Sequence, residues 1–415
     1  MKIKSMELKK HKLGDIATVE ISGVDKKIKD GETQVKLCNF TDVYYNWAIM
    51  SEMESNFMEA TARPNEIERF KLKRGQVALT KDSETRFDIG IATYIADDFD
   101  NVILGYHNAL ITPSPEKLSG KYLNALLHTD YARTYFANNA SGSGQRYALS
   151  VDALNNFPIP LIPLAEQERI GDIFSSIDQK IALNRAINDN LEAMAKQLYD
   201  YWFVQFDFPN EEGKPYKSSG GKMVWNDKLK REIPEGWEVK TIGTFADVKR
   251  GSTITKAQTV EGDIKVVAAA TDYSFLHNEA NRSAYVITVS ASGANAGFIN
   301  FWREPIYASD CSTIQCEKIE ETLYCYYWIL HFQELLFTQQ IGAAQPHVYP
   351  EHINKIPIVV PSPDILAKVK NLLVKSNQKQ SEISREIESL TKQRDELLPL
   401  LMNGQVSVNY HLSDD

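Results

Sequence analysis

Two short loops carry the side chains best suited to recognising another molecule through hydrogen bonds. ANNASGSGQRYALS (137–150) offers Ser143, Gln145, Arg146 and Tyr147, and IGAAQPHVY (341–349) offers Gln345, His347 and Tyr349. Glutamine and arginine can each bond two atoms of one purine edge, while hydroxyls and backbone amides suit phosphates. Four more polar segments extend the set. KDSETRF (81–87) holds Lys81, Ser83, Thr85 and Arg86, and YHN (106–108) holds His107 and Asn108. VKRGSTITK (248–256) holds Lys249, Arg250, Ser252 and Lys256, and SASGAN (290–295) holds Ser292 and Asn295. Any one of them also reads as a solvated turn. Bond-making chemistry has no comparable signal: the sequence contains no phosphate loop, dinucleotide fingerprint, nucleophile elbow or H-E-x-x-H. No catalytic residue and no metal ligand is assigned, and the chain reads as a binding device.

What gives the loops weight is that they occur twice. FPIPLIPLAEQERI (157–170), where a proline-locked run turns abruptly into helix, is answered by IPIVVPSPDILAKV (356–369). At the same offset Asn155 matches Asn354, Pro158 matches Pro357, and Asp178-Gln179-Lys180 matches Asn377-Gln378-Lys379. Leu191 with Leu390 and Leu198 with Leu397 continue the run, which marks a duplication. LGDIATV (13–19) answers IGTFADV (242–248) at a larger offset, so the first copy holds about 30 more residues in its middle.

Each copy reads as a globular α+β head followed by a long helix. Strands are expected in GQVALT (75–80), IGIATYIA (89–96), NVILGYHNALITP (101–113), SAYVITVSASG (283–293) and AGFINFWREPIYAS (296–309), which are β-branched or aromatic runs bounded by turn residues. Amphipathic helices are expected at 121–139 and 321–340. After the first head, Ile170, Phe174, Ile177, Ile181, Asn184, Asn188, Leu191, Ala195, Leu198 and Trp202 alternate steps of four and three, a heptad seam with a polar middle. After the second, Val369, Leu372, Ser376, Lys379, Ile383, Ile387, Leu390, Leu397 and Leu401 form a looser seam, with Ser362-Pro363-Asp364 as its start and Asn403-Gly404 as its stop. Two helices of about 40 residues would be about 60 Å long. Paired antiparallel as a coiled coil, they would set Asn184 and Asn188 opposite Ser376 and Lys379. The aromatic stretch YDYWFVQFDF (199–208) is expected to pack rather than to contact a ligand.

The resulting domain plan is a first recognition domain at 1–163, a central helix at 164–208, a linker at 209–233, a second recognition domain at 234–361, a C-terminal helix at 362–403 and a tail at 404–415. The net charge of −9 does not exclude a nucleic-acid partner, because the excess is concentrated in 164–209 at −4 while 1–163 carries only −1. Cys38, Cys311, Cys316 and Cys325 form no C-x-x-C pair and are expected as buried thiols. With no run of about 18 apolar residues and no apolar stretch behind MKIKSMELKKHK, a cytoplasmic location and no membrane partner are expected.

The order of these elements resembles the specificity subunit of type I restriction-modification enzymes along essentially the whole chain. The resemblance is carried by FPIPLIPLAEQERI, by DQKIALNRAINDNLEAMAKQLYDYWF (178–203), by the opening IPEGWEVKTIG (233–243), by INKIPIVVPSP (353–363), and by the last helix running into LLPLLMNGQVSV (397–408). The amino end departs from the pattern, since LKKHKLGDIATV lacks the PEGW of the second copy. The resemblance implies two target-recognition domains separated by two antiparallel helices with internal pseudo-twofold symmetry. It implies a non-catalytic subunit that reads a bipartite, asymmetric site in double-stranded DNA, with one half-site per domain and the spacer set by the helices. Two methyltransferase subunits are the implied partners, with or without endonuclease/translocase subunits. S-adenosylmethionine, ATP and Mg are expected only on those partners. A dumbbell-shaped protein–protein adaptor is the rival reading, and an enzyme acting alone is disfavoured because two heads and two helices leave no length for a catalytic domain.

Overall fold

The structure is a computed structural model that describes residues 9–143, 146–338 and 347–402. The chain divides into two units, residues 1–183 with 386–415 and residues 184–385, so each long helix is shared between them.

In the first unit the incoming strand Lys10–Lys12 pairs antiparallel with the outgoing strand Pro158–Pro160. This edge placement suits a strand whose prolines donate no amide hydrogen. Between them lies a sheet in the order Ala17–Ile21, Asn108–Pro113, Val77–Thr80, Ala92–Ile95, Ala48–Ile49. A second sheet runs Met58–Ala62, Thr33–Cys38, Val102–Leu104. Val77–Thr80 and Ala92–Ile95 are buried along their whole length, which is why both read as short continuous runs of small and apolar residues rather than as alternation.

The second unit repeats the plan. Glu238–Thr241 pairs antiparallel with Pro357–Val360. One sheet runs Asp247–Arg250, Cys311–Gln315, Val286–Ser290, Ile299–Trp302, and the other runs Phe275–His277, Ile264–Val267, Ile306–Ala308. Each unit joins one parallel pair within its three-stranded sheet, Thr33–Cys38 with Val102–Leu104 and Ile264–Val267 with Ile306–Ala308. The latch at the domain edge is copied in detail. Leu13 N donates to Phe157 O and Ile242 N to Ile356 O, both at 2.9 Å. Tyr122 and Tyr324 each donate a hydroxyl to the outgoing strand at 2.7 Å, to Pro160 O and Val359 O. A Cβ on Gly14 would lie 3.0 Å from Asn155, and one on Gly243 2.6 Å from Asn354, so both glycines are required by the close approach of the matched asparagines. Most of the extra length of the first copy falls between Cys38 and Val77, where helices Phe40–Tyr45 and Pro64–Phe70 and strand Ala48–Ile49 have no counterpart between Val267 and Val286.

Both expected head helices are broken by a histidine at the C-cap. Gly120–Leu127 ends at His128 and Asp130–Asn139 follows; Ile319–Leu330 ends at His331 and Gln333–Thr338 follows. In the first case Thr129 restarts the helix, its hydroxyl accepting from Ala132 N at 3.3 Å.

The first long helix, Leu164–Tyr199, buries Ile170, Phe174, Ile181 and Ala195 from the expected seam and also Asn184. It ends in a π-helical turn, Asp200–Val204. The C-terminal helix departs from the expected phase. Pro363–Val369 leads into a π-helical turn, Lys370–Val374, before Lys375–Met402. A π turn holds an extra residue and rotates everything beyond it. Leu373, Asn377, Gln380 and Ile383 are therefore buried, while Leu372 and Lys379 face solvent. In the second unit Asn188 Nδ2 lies 3.2 Å from Ser384 Oγ and 3.5 Å from Gln380 O, while Glu192 meets Gln380 Nε2 at 3.1 Å. The two segments thus run antiparallel there, but the polar layer opposite Asn188 is Gln380 and Ser384, not Ser376 and Lys379. In the first unit Lys180 Nζ lies 3.5 Å from Glu386 Oε1. The side chains of Val369 and Leu401, and Asn403-Gly404, lie outside what is described.

The segment read as a linker is folded: Met223–Asn226 and Arg231–Pro234 form a hairpin. Tyr216 stacks on Phe208 with ring centroids 4.7 Å apart. Tyr199, Phe203, Phe206 and Phe208 are buried in the core of the second unit, so the aromatic stretch packs as expected. All four cysteines are free thiols; Cys38, Cys311 and Cys325 are buried, and burial pushes the Cys311 and half-buried Cys316 thiols up to about 12.

Candidate nucleic-acid interface

Backbone pairing brings three of the sequence-distant segments together in the first unit. Lys81 N donates to His107 O at 2.9 Å, and Leu149 N donates to Lys81 O at 2.8 Å. The strand Arg146–Ala148 pairs with Asp82–Ser83 on one side and with Ser141–Ser143 on the other. KDSETRF, YHN and RYALS (146–150) therefore meet at one edge. The second unit repeats the arrangement with different residues: Ala291 N donates to Asp310 O at 3.2 Å, Val348 N donates to Ala291 O at 2.9 Å, and Ser292 bridges His347.

At the centre of the first cluster is Asp82, which the sequence reading passed over. Lys81 Nζ donates to both its oxygens at 2.8 and 2.9 Å, and His107 Nδ1 lies against Oδ2. Burial alone would raise this carboxyl, but hydrogen bonds from Lys81 and His107 outweigh it and hold it below the usual carboxylate range. Arg146 Nη2 stands 3.2 Å from His107 Nδ1. His107 itself has φ +70°, a left-handed conformation that few residues other than glycine adopt. Its neighbour Asn108 leaves the candidate set. Its side chain is fully buried and donates to Gly105 O at 3.1 Å, closing the turn from inside. The remaining residues are exposed or half-buried: Ser83 Oγ accepts from Thr85 N at 3.2 Å, and the Arg86 guanidinium lies 5.1 Å from the Tyr147 ring. Beside them opens a cleft of about 620 Å3 lined by Phe40, Tyr44 and Tyr45 as well as by Asp82, His107 and Arg146. Those aromatics belong to the extra segment of the first copy, and only their exposure, not their sequence, marks them. Gln145 lies outside the described residues, and of Ser143 only the strand position is described.

In the second unit the Ser292 hydroxyl bonds the Asp310 carboxylate, at the place held by Asp82 and His107 in the first. His347 stacks on Tyr349 at 5.8 Å, and the Arg250 guanidinium lies 5.9 Å from the same Tyr349 ring. Arg282, also passed over, donates to Thr313 Oγ1 at 2.8 Å and to Arg250 O at 3.0 Å, fixing the strand that carries Arg250. Lys249 pairs with Asp247, and Ser252 N donates to Ala308 O at 2.9 Å. Asn295 ends a short 3-10 turn after Ser292, whereas Lys256 begins a separate exposed turn, Lys256–Gln258. Gln345 lies outside the described residues. Among the described residues no group of His, Cys, Asp and Glu is placed to hold a metal, and no helix is long and apolar enough to cross a membrane.

The family described as "Type I restriction modification DNA specificity domain" matches residues 7–193 and again 234–398. The chain belongs to this family. It is a specificity subunit, and its part in a restriction-modification complex is to confer DNA sequence preference rather than to carry a reaction. The doubled match coincides with the doubled fold. The type I restriction enzyme MjaIX specificity subunit of Methanocaldococcus jannaschii is 26% identical over 389 residues, covering 88% of this chain and 84% of that one. The HindI specificity subunit of Haemophilus influenzae is 22% identical over 408 residues, covering 81% and 87%. Among solved structures, the S subunit of a type I restriction-modification system from M. genitalium matches with a TM-score of 0.60 at 15% identity, over 97% of this chain and 98% of that one. This likeness supports the same fold.

Proposed function

We propose that this specificity subunit reads a bipartite, asymmetric site in double-stranded DNA, each recognition unit taking one half-site through its loop cluster. The observation that supports this most is the convergence of three polar segments at the same topological point in each unit, with different side chains in the two. Dissimilar clusters on a shared frame suit dissimilar half-sites. Arg86, Arg146, Arg250, Lys249 and Lys256 supply positive charge for phosphates and base edges, and Ser83, Thr85, Tyr147, Ser292, Asn295, His347 and Tyr349 supply further donors and acceptors. In this reading 1–163 and 234–361 are the recognition domains, and the helices 164–208 and 362–403, paired as a coiled coil, set the spacer. Two methyltransferase subunits, and endonuclease/translocase subunits where present, carry the chemistry with S-adenosylmethionine, ATP and Mg in the cytoplasm.

The test is selection of DNA from a random pool by the complex with its methyltransferase subunits. A two-part motif is expected, with affinity falling steeply as salt rises. Arg250→Ala should relax preference or affinity for one half-site and leave the other unchanged. Removing one heptad from both helices, about 10 Å or three base pairs, should alter the preferred spacer. Salt-independent binding without a motif would favour the protein–protein adaptor.

A further inference from the structure

We infer that Asp82 is a positioning residue for base recognition in the first unit: it acts through His107 and Arg146, holding the guanidinium in position to read a guanine. The inference rests on the DNA-reading function proposed above and assigns its chemistry at one point.

The side chain of Asp82 is only 12% exposed while that of Arg146 is 68% exposed, so the carboxylate lies beneath the cation rather than beside it on the surface. The Lys81 ammonium on both oxygens neutralises the carboxylate and keeps it from repelling a phosphate backbone, and His107 covers its other side. His107 fills the space between: its Nδ1–H is taken by Asp82, and Arg146 Nη2 packs against the ring, 3.2 and 3.5 Å from the two ring nitrogens and 4.0 Å from Asp82 Oδ2. The left-handed backbone at His107 and the turn closed by the buried Asn108 amide set the direction in which the imidazole projects. A long, flexible arginine is thereby confined before any ligand arrives. An arginine confined in this way has one preferred base partner, since guanine alone presents two adjacent acceptors, N7 and O6, in the major groove. The second unit places Ser292 and Asp310 at the equivalent point, so a bonded polar pair is kept where its chemistry changes. That is the pattern expected of a residue pair that sets preference rather than one that merely closes a turn.

The experiment compares the motif selected by the complex carrying Asp82→Asn, Arg146→Ala, Arg146→Lys or Asp82→Asn with Arg146→Ala. Asp82→Asn keeps the size of the side chain, and the second half-site serves as an internal check that the complex is intact. Arg146→Ala should reduce preference for guanine at one position of the first half-site roughly ten-fold or more. Arg146→Lys should lose most of that preference while retaining affinity, and Asp82→Asn should weaken the same position with the second half-site unchanged. The double variant should be no worse than Arg146→Ala alone, because Asp82 acts through the arginine. Additive losses, an unchanged motif in Asp82→Asn, or losses spread over both half-sites would overturn the assignment. A parent complex that selects no motif would instead refute the DNA-reading function itself.

Discussion

The two units seat their sheets on the long helices by different chemistry. In the first, Trp47 does it: its ring stacks on His128 at 4.2 Å, lies 6.4 Å from Phe174 on the first long helix, and carries the Arg394 guanidinium of the last helix at 5.2 Å. Ile170, Phe174 and Leu398 complete an apolar seat. In the second unit Ala195, Tyr199 and Leu373 also join an apolar core, but the edge of the sheet meets the helices through polar groups. Arg303, from the turn between Ile299–Trp302 and Ile306–Ala308, donates to Asn377 Oδ1 and Gln380 Oε1, both at 2.7 Å, and meets Glu192 at 3.3 Å. Tyr327 donates to the same Glu192 oxygen at 3.3 Å. The difference follows from the extra segment of the first copy. Trp47 lies in that segment, and the turn equivalent to Arg303's is acidic there, with Asp97 accepting from Ser51 N at 2.9 Å and Asp98 from Arg74 N at 3.0 Å. A duplicated frame can thus keep its strand order while exchanging the interface that holds it to its helices.

Breaking the apolar seat should have the largest effect. Phe174 is fully buried, so Phe174→Ala removes a ring that nothing nearby can replace and should cost about 3–5 kcal/mol. Hydrogen exchange should rise across 9–183, while residues of the second sheet system stay protected. Equal loss in both units would mean that the seats are not separate.

The polar seat should yield less. Arg303→Ala leaves Glu192, Asn377 and Gln380 competing for fewer donors and should cost about 1–3 kcal/mol, since the arginine retains some solvent access. Arg303→Lys should recover little, because a single ammonium cannot replace the two guanidinium nitrogens that hold Asn377 and Gln380 separately. Denaturant melts of the parent and the two variants decide it, and full rescue by lysine would reduce the network to a simple charge contact.

The contrast also marks how far the sequence could be read. The strands within 75–113 and 283–309 announced themselves through composition, and Ile170, Phe174 and Ile181 did so through spacing, because both signals are local. Thr33–Cys38, Met58–Ala62, Ile264–Val267 and Cys311–Gln315, in which charged or polar residues interrupt the apolar ones, did not. Asn377 and Gln380 were missed because a π turn at Lys370–Val374 shifts the phase of everything after it, and no residue in KNLLV signals one. Asp82 was missed for a different reason. It lay inside a quoted segment, but its importance comes from pairing with Ala148 and contact with His107, 66 and 25 residues away, which only the register reveals. The folded hairpin at 223–234 was masked by the glycine-rich composition before it.

The smallest effect sharpens the comparison through pH. His128 donates Nε2–H to Ala92 O at 2.9 Å beneath the Trp47 ring. Burial pushes its pKa down to about 3, with Arg394 and Arg133 adding unfavourable positive charge. The unfolded chain binds this proton near pH 6.5, well before the folded one, so the contribution is intact above that value and is lost as pH falls toward 3. Between pH 7 and 5.5 the first unit should lose about 1 kcal/mol through this group. Denaturation or hydrogen exchange at the two pH values, with His128→Asn as the comparison, measures it. In the second unit the matched His331 stacks on Tyr199 and lies 2.9 Å from Asp200, so the reference is the parent against His128→Asn within the first unit. A first unit whose acid response is unchanged by His128→Asn would mean that the imidazole can take its proton without leaving the aromatic seat, and the distinction between an apolar and a polar anchor would have to be redrawn.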